Sequence, residues 1–194
     1  MSGRSEGSWT EDYCDKPKWD RDTVLEAEFH YRHADGRPGF TVLKGRRSDG
    51  DKAFLTGRRF PGALDMLQAE RRDYPDLFYR HQDIDTYLKG KGDEPDLLYR
   101  LPELLADTAA RPNDPVFICE GEKDVETARS HGLIATTSPN GAGKFRRQFA
   151  TYFVDRDVVV VPDADDRGRE HGDLVASILC GVARSVKVID LWQS

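Results

Sequence analysis

Four consecutive valines at 158–161, running into Pro162 and then Asp163, Asp165 and Asp166, constrain this chain more than any other stretch. A run that is short, β-branched and continuous suits a strand buried on both faces of a parallel sheet. The same pattern occurs upstream, where VFIC at 116–119 leads into Glu120, Gly121 and, shortly after, Asp124. Both strands thus carry carboxylates at their carboxyl ends, the edge where open parallel sheets bind ligands. Carboxylates crowded together repel one another and resist ionisation unless a cation sits among them. An all-oxygen donor set suits a hard divalent ion, Mg²⁺ or Mn²⁺, and Mg²⁺ keeps waters or substrate phosphates beside a few carboxylates. The two strands therefore predict a metal site for phosphate chemistry, built from Glu120, Asp163 and Asp165 with Asp124 close by.

The surrounding sequence supplies the α/β frame. RPNDP at 111–115 is turn material and marks a domain boundary. After it the pattern predicts a strand at 116–119, a helix at 123–131, a strand at 133–136, a helix at 145–153, the valine strand, a helix at 168–180 and a last strand at 185–190. That alternation predicts a doubly wound parallel sheet. Upstream, residues 1–23 are polar and without periodicity, and read as a flexible arm. Alternation around Phe29 and Tyr31, a turn at Asp35-Gly36 and a second alternating run through Phe40, Val42 and Lys44 predict a hairpin. A further strand is expected at 52–55, before a break at Gly57, and a short helix at 63–72. KGKGDEP at 89–95 reads as loop, and LLYRLPELL at 97–105 resumes an apolar segment.

The net charge of −6 argues against a uniformly basic nucleic-acid binder. Distribution matters more than the sum: residues 24–60 hold eight Lys or Arg against five Asp or Glu, a local excess of +3. Lys44, Arg46, Lys52 and Arg58 fall on or near the expected strands and would make a small basic sheet, and guanidinium forks match phosphate oxygens well. With 38% hydrophobic and 33% charged residues and no long apolar run, the composition is that of a soluble globular protein, with neither a membrane span nor a signal peptide. Cys14, Cys119 and Cys180 are widely separated, so they form neither a disulfide framework nor a zinc ribbon, and the expected compartment is the cytoplasm.

Several motifs read weakly. SPNGAGKF at 138–145 imitates the end of a P-loop at Gly143-Lys144, but Ser138 stands where that pattern needs Gly and Phe145 where it needs Ser or Thr. A Gly-rich loop with Lys144 at the sheet's edge still suits phosphate or nucleic acid, and a plain Asn-Gly turn fits equally well. The five histidines show no metal spacing; His131 and His171 are expected near helix ends and carry no assigned role. Cys119 is expected to pack in the core.

Glu120-Gly121 after one strand, with Asp163-x-Asp165 and Gly168 after a later one, resembles the TOPRIM domain of bacterial replicative primases, topoisomerases and certain nucleases. EGEKDVETARSHGL, SPNGAGKF and PDADDRGREH together resemble the primases of phages and plasmids, and YRHADGRPGFTVLK with LLYRLPELL resembles the small basic subdomain preceding TOPRIM there. The resemblance implies a Rossmann-like, four-stranded parallel sheet flanked by helices over 113–194, a basic α+β subdomain over 24–112 and an arm over 1–23. It implies that Glu120 is the acid/base or metal-coordinating carboxylate, that Asp163 and Asp165 bind Mg²⁺ or Mn²⁺, and that Asp124 lies at a frequent acidic position. Lys44, Arg46, Lys52, Arg58, Lys123 and Lys144 are the expected contacts to nucleotide or nucleic acid. The implied activity is synthesis of short RNA primers from NTPs on a single-stranded DNA template, in replication of a phage, plasmid or other mobile element. The implied partners are a replicative helicase and a separate zinc-bearing domain. Two alternatives remain open: a TOPRIM nuclease, in which the same carboxylates activate water, and a non-catalytic nucleic-acid-binding or docking module.

Overall fold

The computed structural model describes residues 19–59, 72–73, 86–139 and 141–189. Their first sheet is an antiparallel meander of β1 (Val24–Arg32), β2 (Pro38–Arg46), β3 (Lys52–Arg59) and β4 (Tyr87–Lys89), in that order. The expected hairpin is present as β1 and β2, its turn closed by Gly36 at φ 83°. β3 runs through Gly57, where a break was expected. Packing explains the difference: a Cβ there would stand 3.1 Å from Cβ of Tyr87, so glycine lets β4 close against the strand. β4 has three residues, too few for any alternation to show in sequence. The helix expected at 63–72 lies, apart from Arg72, outside the described residues.

The second sheet follows α1 (Leu101–Ala110) and contains β5 (Val116–Cys119), β6 (Ile134–Thr136), β7 (Asp157–Val161) and β8 (Ser185–Val188). Its order is β6-β5-β7-β8 and every pairing is parallel. The connections carry α2 (Glu122–Ser130) after β5 and α3 (Asp166–Leu179) after β7. Between β6 and β7 the expected α-helix is instead a 3₁₀ helix, Arg147–Phe153. Two phenylalanines, a tyrosine and a threonine are weak helix formers, and no side chain caps the segment. Burial of Phe149 and Phe153 holds it in place.

One hydrophobic cluster joins the two sheets. Phe29, Tyr31, Phe40 and Val42 from one face of the meander share it with Val116, Ile118, Val158 and Val160 of the parallel sheet. Tyr99 is the joint between them. Its ring packs edge-on to Phe29 at 5.9 Å and tilted against Tyr31 at 5.3 Å. Its backbone N–H donates to Thr137 O at 2.9 Å, and Thr136 Oγ1 donates to its carbonyl at 2.7 Å, sewing the connecting segment to the end of β6. Arg100, next in chain, grips Glu126 of α2 through Nε at 2.8 Å and Nη2 at 2.9 Å.

A second tie crosses the same seam. The Tyr31 hydroxyl, on a side chain that is only 1% exposed, donates at 2.8 Å to Glu122 in the first turn of α2. Burial pushes the Glu122 carboxyl up, while its own backbone N–H and the Tyr31 hydroxyl hold it down. Tyr31→Phe removes one donor from a desolvated carboxylate and is expected to cost about 1–3 kcal/mol at neutral pH. The substitution raises the Glu122 pKa further in the folded state. Its cost therefore sets in as pH rises through the carboxyl range and vanishes in acid, where Glu122 is protonated in both states. Urea unfolding of both proteins across pH checks this.

Candidate active site

In the order β6-β5-β7-β8 the chain reverses direction across the sheet between β5 and β7, the switch point at which open α/β sheets form a binding crevice. The two acid-bearing strands are the two that flank it. Cys119 pairs with Val161 in parallel register, so Glu120 and Asp163 leave the sheet beside one another. The Asp163 backbone N–H donates to Glu120 Oε2 at 3.0 Å and fixes that carboxylate across the crevice.

Helix α3 begins immediately beyond. Asp165 is its N-cap, accepting from Gly168 N at 2.7 Å, so one of its oxygens is engaged in helix capping while the residue stays exposed. Gly168 is required by close approach: a Cβ built on it would lie 2.1 Å from the Asp163 carbonyl oxygen. The D-x-D turn folds back on the first turn of its own helix, and only glycine leaves room for it. Gly121 plays a lesser version of that part, with Asp124 Oδ2 lying 3.2 Å from where its Cβ would be.

The electrostatics are those of an under-neutralised acidic cluster. Burial pushes the Glu120 carboxyl up; the Asp163 N–H bond opposes this, the charges of Asp163 and Asp165 add to it, and Arg167 opposes it. Burial also pushes Asp163 up, the charges of Asp124 and Asp165 add to that, and Lys52 opposes it. Lys52 belongs to β3 of the other sheet, so the meander delivers a cation to the acidic edge. Among the described residues the Asp163 carboxylate has neither a hydrogen bond nor an ion pair, and no three His, Cys, Asp or Glu converge into a ready-made metal cage. The donor set is nevertheless all oxygen, charged and repulsive, which fits a divalent ion held by one or two carboxylates with waters and phosphates completing its shell. Glu120, Asp163 and Asp165 are the residues able to hold it, with Asp124 on the rim.

The expected cations divide into four groups. Lys52 is exposed, and its charge acts on Asp163. Lys44 and Arg46 are instead engaged by Glu26, at 3.2 and 2.8 Å. The irregularity between Leu25 and Ala27 in β1 leaves Glu26 as an extra residue, and its side chain reaches the face that carries both cations. Arg58 is half-buried with its guanidinium against Gly92, and its Nε has no partner among the described residues. Lys123 and Lys144 are exposed, and no described contact joins them to the carboxylates. Other charges of the meander are likewise engaged, Arg59 by Glu28 and Arg47 by Asp49 and Asp51.

His171 departs from expectation. It lies inside α3, 2% exposed, and its Nδ1 accepts from the Gly143 N–H at 3.0 Å, tying the Gly-rich loop to the helix that follows Asp165. Burial holds its imidazole below the usual range, which keeps that nitrogen an acceptor. Its spacing from the acids signals nothing in sequence, because the contact is made across the fold. Arg167 was missed for a simpler reason, since an arginine in a helix's first turn reads as solvated surface. Cys119 is buried as expected, and desolvation pushes its thiol up to about 12. An open cleft of about 490 Å³ between the β1–β2 turn and the 3₁₀ helix, lined by His33, Arg37, Asp96, Leu97, Phe149 and Tyr152 among others, includes none of the acidic cluster. No described helix is long and apolar enough to cross a membrane.

No protein-family model matches the chain, and no curated protein matches it. Among solved structures it is similar to the E. coli primase catalytic core, with a TM-score of 0.42 and 15% identity, over 89% of this chain and 51% of that one. The chain therefore spans about half the length of that structure. At so low a score, the geometry of the site itself is the ground for a functional reading.

If Asp163 is a repelled anion waiting for a cation, Asp163→Asn should raise the metal-free melting temperature at neutral pH and low salt by a few degrees. Its folded pKa is raised, so the cost of its charge sets in as pH rises through the carboxyl range and is full at pH 7. Millimolar Mg²⁺ should raise the melting temperature of the parent and leave the variant nearly unchanged. Differential scanning calorimetry with and without the ion reads both effects.

Proposed function

We propose that this chain is the nucleotidyl-transfer core of a primase, joining NTPs on single-stranded DNA. One observation carries the reading: Glu120 and Asp163 meet at the switch point of a parallel sheet, joined by the Asp163 N–H, and the charge of Lys52 on the second sheet acts on Asp163. Acids at a switch point with a cation opposite suit a triphosphate and its counter-ions. The quoted sequence motifs belong to the same residues, which adds support from an independent direction.

In this reading Asp163 and Asp165 hold divalent metal at the crevice, and Glu120, fixed by the Asp163 N–H, faces the reacting hydroxyl. The metal, when bound, supplies charge neutralisation at the α-phosphate and at the departing pyrophosphate. The 3′-hydroxyl oxygen bonds to the α-phosphorus as the bond to the bridging oxygen breaks, pyrophosphate leaves, and the hydroxyl proton passes to Glu120. The raised pKa of Glu120 suits a proton acceptor better than an ordinary carboxylate does. Lys52 places positive charge where phosphate oxygens arrive. Gly168 lets the D-x-D turn fold tightly onto the first turn of α3.

Incubation with labelled NTPs, single-stranded DNA and Mg²⁺ or Mn²⁺ at low salt tests this. The parent should make short oligonucleotides, Asp163→Ala should make none, and Glu120→Gln should be slower by about 10²- to 10⁴-fold. Metal-dependent cleavage of the DNA without synthesis would transfer the same carboxylates to a nuclease. Salt-sensitive binding without either chemistry would leave a binding module. Glu26→Gln, which releases Lys44 and Arg46, should tighten DNA binding and steepen its salt dependence.

A further inference from the structure

We propose that Phe54 is a stacking platform for a base of single-stranded DNA, placed on the same strand face as Lys52. The inference rests on the functional reading above and adds a binding residue to it. Among the large apolar side chains left exposed in the described residues, Phe54 is the one aromatic, at 47%.

Its position gives that exposure meaning. Side chains alternate along β3, so Lys52 and Phe54 share one face, about 6.8 Å apart along the strand. Across the ladder Phe54 faces Lys44 and Lys52 faces Arg46. The same face continues inward through Val42 and Phe29 into the core shared by both sheets. Its inner end is thus buried, and its outer end is left open, with the aromatic ring beside exposed Lys52 and beside Lys44 and Arg46, both paired to Glu26.

Single strands are bound by this combination. Cations track the phosphates, and an exposed ring takes a base face without regard to sequence. A phosphate at Lys52 leaves the attached base one nucleotide's reach away, at Phe54. About half of the Phe54 surface is open to solvent, which leaves a ring face available to a base. A duplex offers no free base face, so the platform selects single strands.

The test uses the full chain with Phe54→Ala and Phe54→Trp, a short labelled single-stranded oligodeoxynucleotide, and low salt with Mg²⁺. Phe54→Ala should weaken binding by about five- to 150-fold, with the salt slope unchanged because no charge is lost, and with its melting temperature unchanged because the ring is exposed. Phe54→Trp should bind as the parent does, and the oligonucleotide should quench its emission beyond any change in the parent. Equal binding by Phe54→Ala and the parent overturns the platform while leaving the primase reading standing. Quenching of Phe54→Trp by NTP alone, or equally by duplex, also overturns it. A parent that binds no single strand removes both proposals together.

Discussion

A single backbone hydrogen bond, from Asp163 N–H to Glu120, closes the ends of β5 and β7 over the switch point. Everything chemical in the molecule is arranged around that closure. The parallel register brings the two strand ends level, the bond orients one carboxylate, and Gly168 lets the chain turn without displacing the other. The price is electrostatic. Burial and the charges of Asp163 and Asp165 push the Glu120 carboxyl up, burial and the charges of Asp124 and Asp165 do the same to Asp163, and Arg167 and Lys52 offset this in part. In the function proposed here, a cation and an anionic substrate arriving together would relieve that repulsion.

The meander answers the charge from the other side. It is attached through Tyr31, Tyr99 and Arg100, which hydrogen-bond to α2 and to the end of β6, Arg100 also bonding Glu103 of α1. Glu26 and Glu28 take up Lys44, Arg46 and Arg59, which lowers the positive charge the meander presents to solvent.

Much of this was legible before any coordinates, and the reasons differ by element. β5 and β7 were readable because strands in the middle of a parallel sheet must be apolar throughout, and the acids at their ends break that pattern abruptly. The hairpin was readable from alternation and from Asp35-Gly36. The 3₁₀ helix was misread because its spacing of phenylalanines also suits an α-helix, and only packing distinguishes the two. Gly57 looked like a stop until Tyr87 was seen against it. The capture of Lys44 and Arg46 by Glu26 depends on a bulge in β1, which leaves no compositional mark. His171 and Phe54 were passed over because their importance lies in what the fold sets beside them: Gly143 in one case, Lys52 and the acidic edge in the other.

The central claim is that the ends of β5 and β7 form one divalent-ion site. Crystals of the chain grown with Mn²⁺ and measured at its absorption edge test it directly. An anomalous peak within ligand distance of Asp163 and Glu120, absent in Asp163→Asn, is the predicted result. No peak there, or a peak that persists in Asp163→Asn, would contradict the account.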